Sequence, residues 1–138
     1  MSAFFDTNIF VYQFDQDAPE KRARARALFE QHVREGSLLL SVQVLQELYV
    51  TLTRKLAVPL SVQDAREVVA ALTELPIVQN DAPMTLAAID LSLRRQLSFW
   101  DALIIVAARR GGASVLLSED LQHGQDIEGI RVENPFLN

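Results

Sequence analysis

The chain has 138 residues, 49% of them hydrophobic and 22% charged, the balance of a compact soluble domain large enough to bury a core. It contains no cysteine, which excludes disulfides and thiolate metal sites and leaves oxygen atoms or two histidines to hold any metal. A net charge of −5 argues against passive electrostatic binding of nucleic acid, and the apolar runs fall far short of the ~20 residues of a membrane helix. The opening Met-Ser-Ala-Phe-Phe-Asp lacks the features of a secretory signal, so a cytoplasmic protein with no membrane association is expected.

Short apolar runs alternate with longer helical patterns along the chain, the mark of an α/β protein with a parallel sheet. Ala3–Phe5 reads as a strand that stops at Asp6-Thr7-Asn8, a turn rich in capping residues. Pro19 to about Arg34 reads as a helix ending near Gly36, and Leu38–Leu40 as a second strand. Ser41 caps a helix running through about Leu56. Ser61, with Asp64 three residues on, opens another through about Leu72. Ile77-Val78 is a third strand, and Met84 to about Gln96 is helical. Ser98 caps a helix whose stretch Ala102–Ala108 is apolar nearly all round, hence buried, and which closes at Arg109-Arg110-Gly111-Gly112. Val115–Leu117 is a strand ending at Ser118-Glu119-Asp120, and Ile130–Val132 a last strand at the sheet edge. Without repeats or linkers, residues 1–138 are expected to form a single domain.

Three acids stand where an apolar segment begins or ends. Asp6 follows the first strand, Asp101 starts the buried helix, and Asp120 follows Val115–Leu117. Ligands in open α/β sheets bind beyond the carboxyl ends of the strands, so Asp6 and Asp120 are well placed if their strands are neighbours. Each acid also has a purely structural explanation: Asp6 as a cap or Asx-turn, Asp101 as the third residue of the box begun by Ser98, Asp120 as the start of a turn. Glu47 lies about 60° beyond the apolar stripe Val44, Leu45, Leu48, Tyr49 and Leu52, and periodicity alone reads it as exposed. Basic residues cluster at Lys21, Arg22, Arg24 and Arg26, at Arg54-Lys55, at Arg94-Arg95 and at Arg109-Arg110. They form either solvated helix faces and C-termini or a shared RNA-binding rim, if the fold gathers them. His32 and His123 read as structural or surface residues, and Trp100 as packing against the sheet.

The pieces Phe5-Asp6-Thr7-Asn8-Ile9, Gln46-Glu47-Leu48, Phe99-Trp100-Asp101-Ala102-Leu103-Ile104 and Leu117-Ser118-Glu119-Asp120 resemble, in order and spacing, the four motifs of the PIN-domain nucleases. Their layout is similar to that of the VapC-type toxins of bacterial toxin–antitoxin pairs. The resemblance implies a three-layer α/β/α sandwich around a central parallel sheet of about five strands. It implies a ribonuclease in which Asp6 and Asp101 hold Mg²⁺ or Mn²⁺, Glu47 and Asp120 complete the acidic pocket, and Asn8 and Ser118 orient the acids. Where many relatives carry Thr and a further Asp, this chain has Ser118-Glu119-Asp120, so either Glu119 or Asp120 supplies the fourth acid. A water activated by the metal would hydrolyse RNA to products with 5′-phosphate and 3′-hydroxyl ends. A small VapB-like antitoxin, seated in an apolar groove formed by the helices around Leu45–Leu56 and Ser61–Leu72, and a homodimer are the implied partners. A non-toxin RNA-processing nuclease and an inert PIN-like binding module are the rival readings. A haloacid-dehalogenase-type phosphatase fits poorly, because Asn8 stands where its second aspartate is needed.

Overall fold

Three all-buried residues, Ala3–Phe5, start the structure as strand β1, and the rest of the sheet is laid against it. The structure is a computed structural model describing residues 2–137. The elements follow in chain order as helix α1 (Thr7–Val11), a 3₁₀ turn (Tyr12–Phe14), α2 (Pro19–Glu35), β2 (Leu38–Ser41), α3 (Val42–Arg54) and α4 (Val62–Leu72). Then come β3 (Ile77–Val78), α5 (Ala82–Arg95), α6 (Phe99–Arg110), β4 (Val115–Leu117), β5 (Asp126–Ile127) and β6 (Ile130–Glu133).

The sheet order is β3-β2-β1-β4-β6-β5. The first five of these strands run parallel, as the α/β alternation requires, and β5 pairs antiparallel with β6. The sequence reading missed β5, a two-residue strand too short to show an alternation, and therefore made Ile130–Val132 the sheet edge. It is β5 that occupies the edge. The turn between the two strands passes through Glu128 (φ 53°) and Gly129 (φ 90°).

From β1 the chain steps to β2 and β3 on one side, then crosses back to β4 on the other. Because parallel crossovers are right-handed, this reversal sends α5 and α6 to the face opposite α2, α3 and α4, giving three layers. The reversal also creates a topological switch point between the carboxyl ends of β1 and β4, where ligands bind in open α/β sheets. Register fixes that point: Phe5 pairs with Leu117, and the Asp6 N–H donates to the Leu117 carbonyl at 3.0 Å.

Caps set the helix limits close to where the sequence puts them. Ser41, Ser61 and Ser98 each accept a backbone N–H at the start of α3, α4 and α6, and Gly36 ends α2 in the left-handed conformation (φ 67°). Helix α5 starts earlier than its apolar periodicity suggests, because Asp81 accepts from the Met84 N–H and Pro83 fits the first turn. After α6, a Cβ on Gly111 would lie 2.9 Å from Val78 Cγ2, so glycine there lets the helix end approach β3. Phe4, Phe5, Leu40, Leu48, Ile105 and Leu116 are fully buried in one continuous core. Each such side chain contributes about 1.5–3 kcal/mol by leaving water, which suffices to hold the switch point rigid. Among the described residues no helix is long and apolar enough to cross a membrane.

Candidate active site

At the switch point the backbone turns from β1 into α1, and Asp6 does two jobs there. Its Oδ1 caps α1 by accepting the Thr7 N–H at 2.7 Å, and its Oδ2 accepts from the Ser118 hydroxyl at 2.8 Å. The sequence treats capping and site membership as alternatives, whereas the two oxygens allow both. The region Asp6-Thr7-Asn8 is thus the first turn of α1, a five-residue helix too short for periodicity to reveal.

Asp101 divides its roles in a similar way. Its backbone N–H donates to the Ser98 hydroxyl at 3.1 Å as the third residue of a capping box. Its carboxylate has no hydrogen bond among the described residues and lines the cleft. Asp120 follows β4 in a bend closed by its own N–H on Ser118 Oγ at 3.1 Å, and its Oδ1 accepts from Asn8 Nδ2 at 3.0 Å. Glu47 differs from the expectation of exposure. It is half-buried, because Thr7 Oγ1 donates to its Oε1 at 2.8 Å and Gln43 Nε2 to its Oε2 at 3.4 Å. Periodicity of α3 alone carries no information about α1, which packs against that helix and supplies Thr7.

Asp6, Glu47, Asp101 and Asp120 line one cleft of about 450 Å³, together with Thr7, Asn8, Gln43, Val50, Lys55 and Trp100 among others. Among the described residues none of the four acids forms a salt bridge. The electrostatic consequence is concentrated at Asp6, which is 6% exposed. Burial pushes its pKa up to about 6; the Ser118 and Thr7 hydrogen bonds oppose this, and the charges of Asp120 and Glu47 add to it. Asp120 is likewise raised, by burial first and then by Asp101, with Asn8 opposing.

Glu119, the other acid open for the fourth position, lies outside the cleft. It accepts from Lys21 Nζ at 2.5 Å and from the Tyr12 hydroxyl, while Lys21 also sits 4.8 Å from the Tyr12 ring centroid. Of the two acids, Asp120 is the one that faces the cleft. The histidines are elsewhere: His32 Nδ1 meets Ser37 Oγ at 2.8 Å with its ring edge-on to Phe5, and exposed His123 accepts the Asn134 N–H.

Three expectations need correction or addition. Trp100 does not pack on the sheet; it is 60% exposed at the rim of the cleft. The basic clusters do not gather into one rim. Arg94 pairs with Glu128 and Arg110 with Asp81, and Lys55 is the cation that lines the cleft. Gln43 and Thr7 are the residues that sequence reasoning missed. The available signal was Gln43 standing four residues before Glu47, hence on the same helix face.

The donor set suits a hard divalent cation: four carboxylates of like charge line the cleft, and the buried Gln43 Oε1 has no hydrogen-bond partner among the described residues. Among the described residues no three histidine or carboxylate side chains converge closely enough for a closed cage. The fit is therefore to an ion that keeps part of its water shell, as Mg²⁺ does when one or two carboxylates hold it.

A family model described as the PIN domain matches residues 3–125. No curated protein matches the sequence significantly. Among solved structures, a toxin–antitoxin complex from Klebsiella pneumoniae is similar with a TM-score of 0.70 and 20% identity, covering 98% of each chain. VapC20 from Mycobacterium tuberculosis, described as a sarcin-ricin loop cleaving toxin, gives a TM-score of 0.68 and 22% identity over 86% of this chain and 92% of its own. DNA-bound VapBC from Salmonella typhimurium gives 0.67 and 20% over 96% and 97%. At these identities the likeness is one of fold.

Proposed function

The chain belongs to the PIN-domain family, and from that premise we propose that it is an endoribonuclease that hydrolyses RNA phosphodiester bonds with Mg²⁺ or Mn²⁺, acting as the toxin of a VapBC-type pair. The observation that carries this reading is that Asp6, Glu47, Asp101 and Asp120 line one cleft at the switch point with no salt-bridge partner among the described residues, and that the Asp6 pKa is raised to about 6. A cluster of like charges that costs folding energy is explained if a cation completes it.

Asp6 and Asp101 are the residues assigned to hold that cation, with Glu47 and Asp120 around its water shell. When bound, it supplies charge neutralisation at the scissile phosphate and acidifies a water. The chain's own part is to orient. Ser118 fixes Asp6, Asn8 fixes Asp120, and Thr7 with Gln43 fixes Glu47, so each acid but Asp101 is held by a side chain from another element or turn. Asp120, whose pKa is raised from its ordinary value by burial and the nearby Asp101, faces the cleft and is suited to take a proton from the attacking water. Lys55, which lines the same cleft, suits a neighbouring phosphate.

The partner assignments rest on the structural neighbours, two of which are toxin–antitoxin assemblies or parts of them, and on unpaired apolar surface. Val50, Val58 and Val62, exposed along α3, the following loop and α4, suit an apolar antitoxin segment. Leu86, Ile89 and Leu93 form an outward stripe on α5, opposite its buried Met84, Ala88 and Leu91, and suit a homodimer. The test is cleavage of RNA in Mg²⁺ or Mn²⁺, abolished by EDTA and by Asp6→Ala or Asp101→Ala. Full activity of both variants would refute the site. Growth arrest on expression alone, relieved by the product of the adjacent gene, tests the toxin role. Cleavage without arrest would favour a housekeeping RNA-processing enzyme.

A further inference from the structure

The nuclease reading leaves one large side chain at the cleft without a task. Trp100 is the only tryptophan in the chain and 60% exposed, although a ring of that size gains most by burial. It is not loose. Its ring packs against Phe99 in a T-shaped pair, with centroids 5.0 Å apart and planes at 78°, and Gln43 Nε2 donates to its backbone carbonyl at 3.3 Å. The same Gln43 amide donates to Glu47, so the Trp100 backbone and one of the acids are tied to a single side chain. The next residue is Asp101, and the cleft is also lined by Val50 (42% exposed), Thr51 and Lys55. An exposed aromatic ring thus shares the cleft with the carboxylates and with one cation, Lys55.

We propose that Trp100 is a stacking platform for an unpaired base next to the scissile phosphate; this rests on the nuclease reading above. A nucleotide in the cleft presents one phosphate to the acid-held cation, its neighbour to Lys55, and the flat face of its base to the indole. In an A-form duplex both faces of each base are already stacked, so only an unpaired or splayed base is free to do this. Stacking on an aromatic side chain tolerates any base, so the platform selects for single-strandedness rather than sequence.

The sole tryptophan is its own reporter. Asp6→Asn protein, used to prevent cleavage, is titrated in Mg²⁺ with a fluorescein-labelled 15-nucleotide single-stranded RNA of mixed sequence and with the same RNA as a blunt duplex. Binding is followed by anisotropy, and stacking by indole fluorescence. The single strand is expected to quench Trp100 and the duplex to leave it unchanged. In the same background Trp100→Ala should bind the single strand about 5- to 150-fold more weakly. Trp100→Phe should recover most of the affinity. In otherwise wild-type protein, Trp100→Ala should slow cleavage of an intact strand. It should add nothing when the stacking base has been replaced by an abasic site. Equal melting temperatures with and without the ring exclude a folding effect. RNA binding without quenching, equal quenching by duplex, or undiminished cleavage by Trp100→Ala would overturn the platform while leaving the nuclease reading intact. Normal cleavage combined with lost neutralisation by a partner protein would overturn it in favour of a protein contact. Absence of any RNA binding or cleavage by the wild-type chain would remove both readings.

Discussion

Glu119 and Asp120 are consecutive acids on the same bend, and the structure treats them oppositely. Burial raises both, but Lys21 and Tyr12 hydrogen bonds outweigh it at Glu119 and hold that carboxyl below its ordinary range. At Asp120 burial is joined by Asp101, Glu119 and Glu47, and the single Asn8 hydrogen bond does not offset them. One acid is neutralised locally by its own chain. The other is left among like charges, as is Asp6 at the end of the adjacent strand β1. The contrast separates an acid that stabilises the fold from acids that the fold tolerates, and the second kind is where a ligand can do what the protein does not.

Variants can break or sharpen this contrast. The largest effect is expected for Asp6→Asn and Asp101→Asn, each lowering the Mg²⁺-dependent cleavage rate at least ~1000-fold, since several kcal/mol of charge stabilisation is at stake. The same Asp6→Asn change should stabilise the fold without divalent cations. A folded pKa of about 6 against 3.8 means that stability is fully present below pH 3.8 and falls as pH rises through 6, a loss of about 3 kcal/mol at neutral pH. Denaturation in EDTA should therefore show the variant more stable than wild type at pH 7.5 and equal to it below pH 4. Equality at both would mean that Asp6 is not strained. Ser118→Ala and Asn8→Ala remove only the groups that orient acids, and should lower activity or Mg²⁺ affinity by about 10- to 100-fold. At the far end, Lys21→Met or Glu119→Gln should change stability by about 0.2–1 kcal/mol, because Lys21 is 40% exposed, and leave cleavage within a few-fold of wild type. A large loss of activity in Glu119→Gln would erase the distinction between the two neighbours.

Much of this was legible before the structure. Strands β1, β3 and β4 and the Ser-capped starts of α3, α4 and α6 follow from apolar runs and hydroxyl caps, which are local signals. Asp6, Asp101 and Asp120 stood out because each adjoins the end of a buried segment. What stayed hidden depends on contacts between segments far apart in sequence. Glu47 is drawn in by Thr7, forty residues earlier, and Trp100 is kept out by its place on the first turn of α6 facing the cleft. The dispersal of the arginines onto Glu128 and Asp81 likewise requires the folded arrangement of α5, α6 and the β5–β6 turn.

The central place of β1 also has a consequence in time. As the chain emerges from the ribosome, β1 is made first, yet one of its two neighbours, β4, is completed only at residue 117. Until then one edge of the buried strand Ala3–Phe5 has no partner, and Asp6 lacks the serine that holds its second oxygen. Loop closure over more than a hundred residues precedes the finished site, so a nascent chain carries no assembled acid cluster. An activity that needs the acid cluster would be delayed until synthesis is nearly over, and a chain truncated before Val115 would lack Asp120 and leave that edge open to aggregation.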